Sequence, residues 1–138
     1  MEKIEHIGIA VKDLVASNIL FEKLLGSPSY KTEEVASEGV RTSFFKSGPN
    51  KIELLEAIED DSPIAKHIEK RGEGVHHIAF AVNDIRSEIA RLKKEGFVVL
   101  NEEPKKGADN KLVAFLHPKS TNGVLVELCQ EIEENLGL

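Results

Sequence analysis

Residues 4–14 read Ile-Glu-His-Ile-Gly-Ile-Ala-Val-Lys-Asp-Leu, and residues 75–85 read Val-His-His-Ile-Ala-Phe-Ala-Val-Asn-Asp-Ile. Shifted by 71 positions, His6 falls on His77, Ala10 on Ala81, Val11 on Val82 and Asp13 on Asp84. Further along, Ile52-Glu53-Leu54-Leu55 matches Val126-Glu127-Leu128-Cys129 at a shift of 74. An internal repeat of this period makes each half one supersecondary unit that must bury its apolar surface on its own helix and on its twin. Both copies keep one imidazole near the start and one carboxylate near the end. Two such units related by a pseudo-twofold axis would bring two His and two Glu to one point, a set suited to a divalent metal.

Residues 4–11 alternate. Ile7, Ile9 and Val11 form an apolar face, and His6, Gly8 and Ala10 form a small, polar one suited to a cavity floor. Asp13 offers a helix N-cap, Leu14, Ala16, Leu20, Phe21, Leu24 and Leu25 give an apolar stripe, and Gly26 fits the stop. Three short strands are expected at 29–34, 40–46 and 51–56, the last two joined by a turn at 47–50. Ser62-Pro63 opens a linking helix and Gly72 closes it. The unit then recurs, with a strand at 75–82, a helix from the Asp84 cap to the Gly96 stop, and strands near 97–102, 112–116 and 124–130. Loops are expected at 104–110 and 117–123, and the tail 131–138 is expected to fray. The organisation is one domain over 1–138, of class α+β. It comprises a βαβββ module over 1–60, a helical link over 61–73 and a second βαβββ module over 74–132, with a metal-binding cleft between the polar faces.

Bulk properties narrow the functional classes. A net charge of −6 argues against a nucleic-acid surface. No apolar run approaches the roughly 20 residues that a membrane helix needs. The single cysteine, Cys129, excludes an intrachain disulfide framework and makes a cytoplasmic location the expectation.

A single strand histidine is more often structural than a ligand. The metal reading rests on recurrence, because all four candidates, His6, Glu53, His77 and Glu127, hold equivalent places in both halves. Two carboxylates neutralise a divalent cation, and four protein ligands leave open octahedral positions for water or a substrate oxygen. Open positions suit catalysis, in which the metal polarises a carbonyl and a nearby carboxylate acts as base. Strand alternation points His76 to the opposite sheet face, where it is structural or supports the ligands from behind. His67 either faces solvent or packs. His117 is a loop residue or a rim contact, and Cys129 is a buried thiol. Lys105, Lys106 and Lys111 either meet an anionic ligand tail or form a solvated loop.

These motifs, joined by Asp61-Ser-Pro-Ile-Ala65, Gly74-Val-His-His-Ile78, Glu103-Pro-Lys-Lys-Gly107, Phe115-Leu-His-Pro-Lys-Ser120 and Gly123-Val-Leu-Val-Glu127, resemble the vicinal oxygen chelate (glyoxalase/bleomycin-resistance/dioxygenase) superfamily. Within it the sequence is most similar to the methylmalonyl-CoA epimerases. The resemblance implies metal ligation by His6, Glu53, His77 and Glu127, with Co, Ni, Mn or Zn as the ion. It implies Glu127, and secondarily Glu53, as the catalytic bases. It also implies a homodimer acting on an acyl-CoA thioester, with (R)- and (S)-methylmalonyl-CoA interconverted by α-proton abstraction through a metal-stabilised enolate. Some relatives carry Gln in place of Glu53. Some carry a second basic Glu where this chain has Thr42, a side chain with no useful basicity. Glyoxalase I (lactoylglutathione lyase), with its related metal-bound enediolate chemistry, is the alternative enzyme. A metal-free small-molecule-binding member of the superfamily is the non-enzyme alternative. A two-His, one-carboxylate iron dioxygenase fits less well, because Glu53 would fill a position needed for oxygen or substrate.

Overall fold

The computed structural model describes residues 1–133; the fraying expected of the tail lies largely outside them. Eight strands and three helices follow the repeated order β1 (Lys3–Ala10), α1 (Leu14–Leu25), β2 (Lys31–Val35), β3 (Val40–Ser47), β4 (Asn50–Ala57), α2 (Pro63–Arg71), β5 (Gly74–Ala81), α3 (Ile85–Lys94), β6 (Lys105–Lys106), β7 (Lys111–Leu116) and β8 (Val126–Glu131). The fold is α+β and glyoxalase-like, with βαβββ occurring twice. Ile4–Ile78 forms one compact unit; Met1–Lys3 and residues 79–133 belong to the other, so the division falls inside β5.

In the first unit the strand order is β2-β3-β4-β1-β5. β1 runs parallel to β4, with Gly8 opposite Glu53, and β3 runs antiparallel to β4, with Phe44 opposite Glu53 and Thr42 opposite Leu55. Alternation sorts the side chains between two cores. On one face Val11, Leu14, Phe45 and Leu54 are buried with Ile9, Phe21, Leu25 and Ile52 against them. On the other face Ala10, Val40 and Leu55 pack against Ile64 of α2, with Ile68 beside them. His6, Gly8, Thr42, Phe44 and Glu53 share the register of this second face. The helix caps read from the sequence form as expected. Asp13 accepts the Ala16 N–H, Ser62 accepts the Ala65 N–H, and Gly26 ends α1 with φ of 78°. A left-handed residue there suits glycine, which has no Cβ to clash.

The expected stripe on α1 needs correction. Leu20 and Leu24 are 61% and 70% exposed, and the inward line is buried Leu14 with half-buried Phe21 and Leu25. These lie at i, i+7 and i+11 on one side of the helix. The helix is apolar over most of its circumference, so composition did not reveal which side packs.

In the second unit, residues 79–81 of β5 precede a hydrogen bond from the Val82 N–H to the Cys129 carbonyl (2.9 Å), and the remaining order is β8-β7-β6. Asp84 caps α3 by accepting the Ser87 N–H. Ile85, Ile89 and Leu92 of α3 pack on Val82, Ala114, Leu116, Val126 and Leu128. The strand expected near 97–102 is reduced to one bridge, Val99 with Leu116. Backbone bonds run from Leu100 N–H to the Phe115 carbonyl and from His117 N–H to the Val98 carbonyl. The ladder then breaks because the Asn101 side chain replaces the backbone. Its Oδ1 accepts the Phe115 N–H at 2.9 Å and its Nδ2 donates to the Val113 carbonyl at 3.3 Å. The pairing with β7 resumes in β6, inside the segment expected to be a loop.

Gly8 has a second role, set by space. A Cβ built on it would lie 2.2 Å from Cε1 and 2.5 Å from Nδ1 of His77, so the imidazole of β5 rests directly on the bare Cα of β1. Gly8→Ala should therefore push the His77 ring aside and cost about 1–3 kcal/mol through overpacking. Imidazole NMR signals and denaturant unfolding check this, and a variant with unshifted His77 resonances would contradict it. Leu14→Ala, which removes a buried side chain shared by α1 and the sheet, should cost about 2–5 kcal/mol in the same unfolding measurement.

Candidate metal centre

Two imidazoles meet in the first unit. His6 Nε2 and His77 Nε2 are 3.0 Å apart, and the rings stand at 88° to each other. Both side chains are buried, at 4% and 5% exposure. Two nitrogens that each bind one ion at about 2.1 Å, a right angle apart, are separated by about 3.0 Å. The pair thus has the spacing of neighbouring ligands. β1 supplies His6 from the face that also holds Gly8, and the missing Cβ of Gly8 makes the room into which His77 lays its ring.

Carboxylates surround His6 at its other nitrogen. Nδ1 lies 3.0 Å from Glu53 Oε2 and 3.0 Å from Glu5 Oε1. Glu53 is 5% exposed and comes from β4, which runs beside β1. Glu5, equally buried, also takes an ion pair from Lys51 Nζ at 3.3 Å. Glu5 was not among the sequence-derived site residues. The available signal was its place next to His6 in the repeat, where the second copy has His76.

His76 does not stay on the far side of its strand. Alternation sets the direction of Cβ, but Nδ1 lies only one bond beyond Cγ, close to the backbone. The Nδ1 atoms of His76 and His77 are 3.0 Å apart with the rings at 89°. His67 on α2 packs edge-on against His76, with ring centroids 4.9 Å apart. Burial, with His77 and His67 adding to it, pushes the His76 imidazole down to about 3. His76 is therefore neutral across the physiological range, and one of its ring nitrogens keeps a lone pair able to accept a hydrogen bond.

The second unit repeats the carboxylate arrangement. Glu127, 6% exposed, lies opposite Phe115 across the β7–β8 pair, just as Glu53 lies opposite Phe44. Val126 and Leu128 face α3, so Glu127 shares the other face of β8 with Cys129. Thr42 is 1% exposed and has Val113 as its counterpart, opposite Cys129. Neither repeat thus places a base at that position. The remaining candidates have structural settings. Cys129 is buried and its thiol meets the Phe80 carbonyl at 3.5 Å. His117 Nδ1 accepts the Lys119 N–H at the start of a short turn. Lys111 is buried and pairs with Glu131 at 3.6 Å, whereas Lys105 and Lys106 are exposed on β6. Among the described residues, no helix is long and apolar enough to cross a membrane.

His6 and His77 are thus buried side by side on strand positions that recur by duplication. Residues 5–115 match the pattern of the Glyoxalase/Bleomycin resistance protein/Dioxygenase superfamily. An ethylmalonyl-CoA/methylmalonyl-CoA epimerase of Cereibacter sphaeroides is 42% identical over 130 residues, covering 93% of this chain and 97% of its own. An uncharacterised protein of Bacillus subtilis, YqjC, is 38% identical over 94% of this chain and 93% of its own. The solved structure of a variant of the Streptomyces coelicolor methylmalonyl-CoA epimerase, in complex with 2-nitronate-propionyl-CoA, superposes with a TM-score of 0.91 at 37% identity, covering 95% of both chains. The chain belongs to the glyoxalase/bleomycin resistance protein/dioxygenase superfamily and is related, over nearly its whole length, to the methylmalonyl-CoA epimerases.

Proposed function

We propose that this chain is a metal-dependent epimerase that interconverts the (R) and (S) forms of methylmalonyl-CoA. The observation that carries the reading is the buried His6–His77 pair at ligand spacing, in a chain 42% identical to an ethylmalonyl-CoA/methylmalonyl-CoA epimerase. His6, Glu53, His77 and Glu127 would hold a divalent ion, with Co, Ni, Mn and Zn all compatible with such a donor set. The carboxylates of the set would balance its charge. When bound, the ion would supply positive charge to stabilise the negative charge that grows on the thioester oxygen as the α-proton leaves.

The chain's own groups move the proton. Glu127 is the first base, and its buried setting on β8 excludes the water that would compete for the proton. Glu53, on the duplicated strand, is the second: when Glu127 is ionised Glu53 carries a proton of its own, and it delivers that proton to the opposite face of the α-carbon after Glu127 has taken the first. Each carboxylate is backed by a phenylalanine across its strand pair, Phe44 for Glu53 and Phe115 for Glu127. Thr42 lines the same sheet face as Glu53 but has no useful basicity. The outward apolar residues of α1, Val15, Leu20 and Leu24, support a homodimer.

The test is exchange of the α-proton of methylmalonyl-CoA in deuterated buffer, run beside isomerisation of the methylglyoxal–glutathione hemithioacetal. The wild type should exchange the thioester proton and leave the hemithioacetal unchanged; the reverse result would assign the chain to glyoxalase I chemistry. His6→Ala and His77→Ala should each abolish exchange and lower metal content. With metal retained, Glu127→Gln should cost at least about 100-fold in exchange, the scale of a lost general base, whereas Thr42→Val should cost little. A metal-loaded Glu127→Gln protein that exchanges at the wild-type rate would remove Glu127 from this role.

A further inference from the structure

Each histidine of the buried pair is held at Nδ1 by the residue just before it in the chain. Glu5 Oε1 lies 3.0 Å from His6 Nδ1, and His76 Nδ1 lies 3.0 Å from His77 Nδ1. The repeat therefore places a hydrogen-bonding partner at the same distance and the same sequence offset in both copies, using different chemistry. Each partner is itself supported. Glu5 takes the Lys51 ammonium at 3.3 Å, and His76 takes the edge-on ring of His67 from α2. Neither position has a part in the reaction described above.

We infer that Glu5 and His76 are positioning residues that hold the Nδ1 proton of His6 and His77, so that the Nε2 atoms of both rings face the metal. The inference rests on the metal reading of the site. An imidazole that offers Nε2 to a cation must carry its proton on Nδ1, and that N–H needs an acceptor in a buried setting. A Glu5 carboxylate oxygen serves for His6, and His76 Nδ1, 3.0 Å from His77 Nδ1, serves for His77.

The test measures Co²⁺ affinity of the full-length protein by chelator competition, without substrate. Glu5→Leu and His76→Phe keep bulk and remove the acceptor, and each should weaken Co²⁺ binding by about 10–100-fold. Glu5→Gln and His76→Asn keep an acceptor oxygen near the original atom and should restore affinity to within about threefold of wild type. A purely structural role would not separate the two members of each pair in this way. In the Zn²⁺-loaded protein, long-range ¹H–¹⁵N spectra should show His6 and His77 protonated at Nδ1. The inference is overturned if the Leu and Phe variants bind Co²⁺ as tightly as wild type, or if either ring carries its proton on Nε2. Should wild type bind Co²⁺ no better than a His6→Ala, His77→Ala double variant, the metal reading itself falls and the positioning roles fall with it.

Discussion

The site depends on bringing two imidazoles to 3.0 Å inside a protein without leaving their polar atoms stranded. Burial of an unsatisfied polar group costs about 1–3 kcal/mol, a large fraction of a small domain's stability. Each of the two rings presents two nitrogens, so the site must supply partners on both sides. It does so with side chains from adjacent strands of one sheet. β1 gives Glu5 and His6, β4 gives Lys51 and Glu53, and β5 gives His76 and His77. The parallel pairing of β1 with β4 is what lets residues distant in sequence do this, since it places Lys51 opposite His6 and Glu53 opposite Gly8. Apolar packing by α1 and α2 fixes these strands, and the polar cluster occupies the small space that packing leaves.

Much of this was legible because its causes are local or periodic. Caps at Asp13, Ser62 and Asp84 need only a short side chain three residues before an amide, and all three form. Strand parity placed His6 with Gly8 and Ala10, and Glu127 apart from Val126 and Leu128, because a strand has only two faces. What parity does not fix is where a ring's near-backbone nitrogen reaches. His76 and Glu5 therefore reach the Nδ1 atoms of the buried pair although parity turns their Cβ atoms to the other face. The duplication itself held the missing hint, since 5 and 76 are equivalent positions. Their residue types differ, so likeness of sequence alone did not connect them.

Two other differences have the opposite cause, too much apolar signal rather than too little. α1 carries Val15, Ile19, Leu20 and Leu24 on exposed positions as well as Leu14, Phe21 and Leu25 toward the sheet, so hydrophobicity does not identify its inner side. Likewise residues 97–102 are rich in β-formers and read as a strand. The backbone does become extended there, but Asn101 takes over the pairing after Leu100. Neither difference touches the buried cluster, which is set by the central strands of the first unit and by their register.

That substitution by Asn101 has a consequence for how the molecule meets other chains. An outer strand normally shows a row of open amides and carbonyls, and any passing extended peptide can dock there and add to the sheet. Along β7 the row is taken piecemeal: by residues 98–100 at one end, by the carboxamide of Asn101 in the middle and by the two residues of β6 at the other. No piece is long enough to be displaced as a regular ladder, and the carboxamide is tethered by its own backbone. Strand exchange along β7 is thereby closed, a built-in guard against fibrous growth on that side of the sheet.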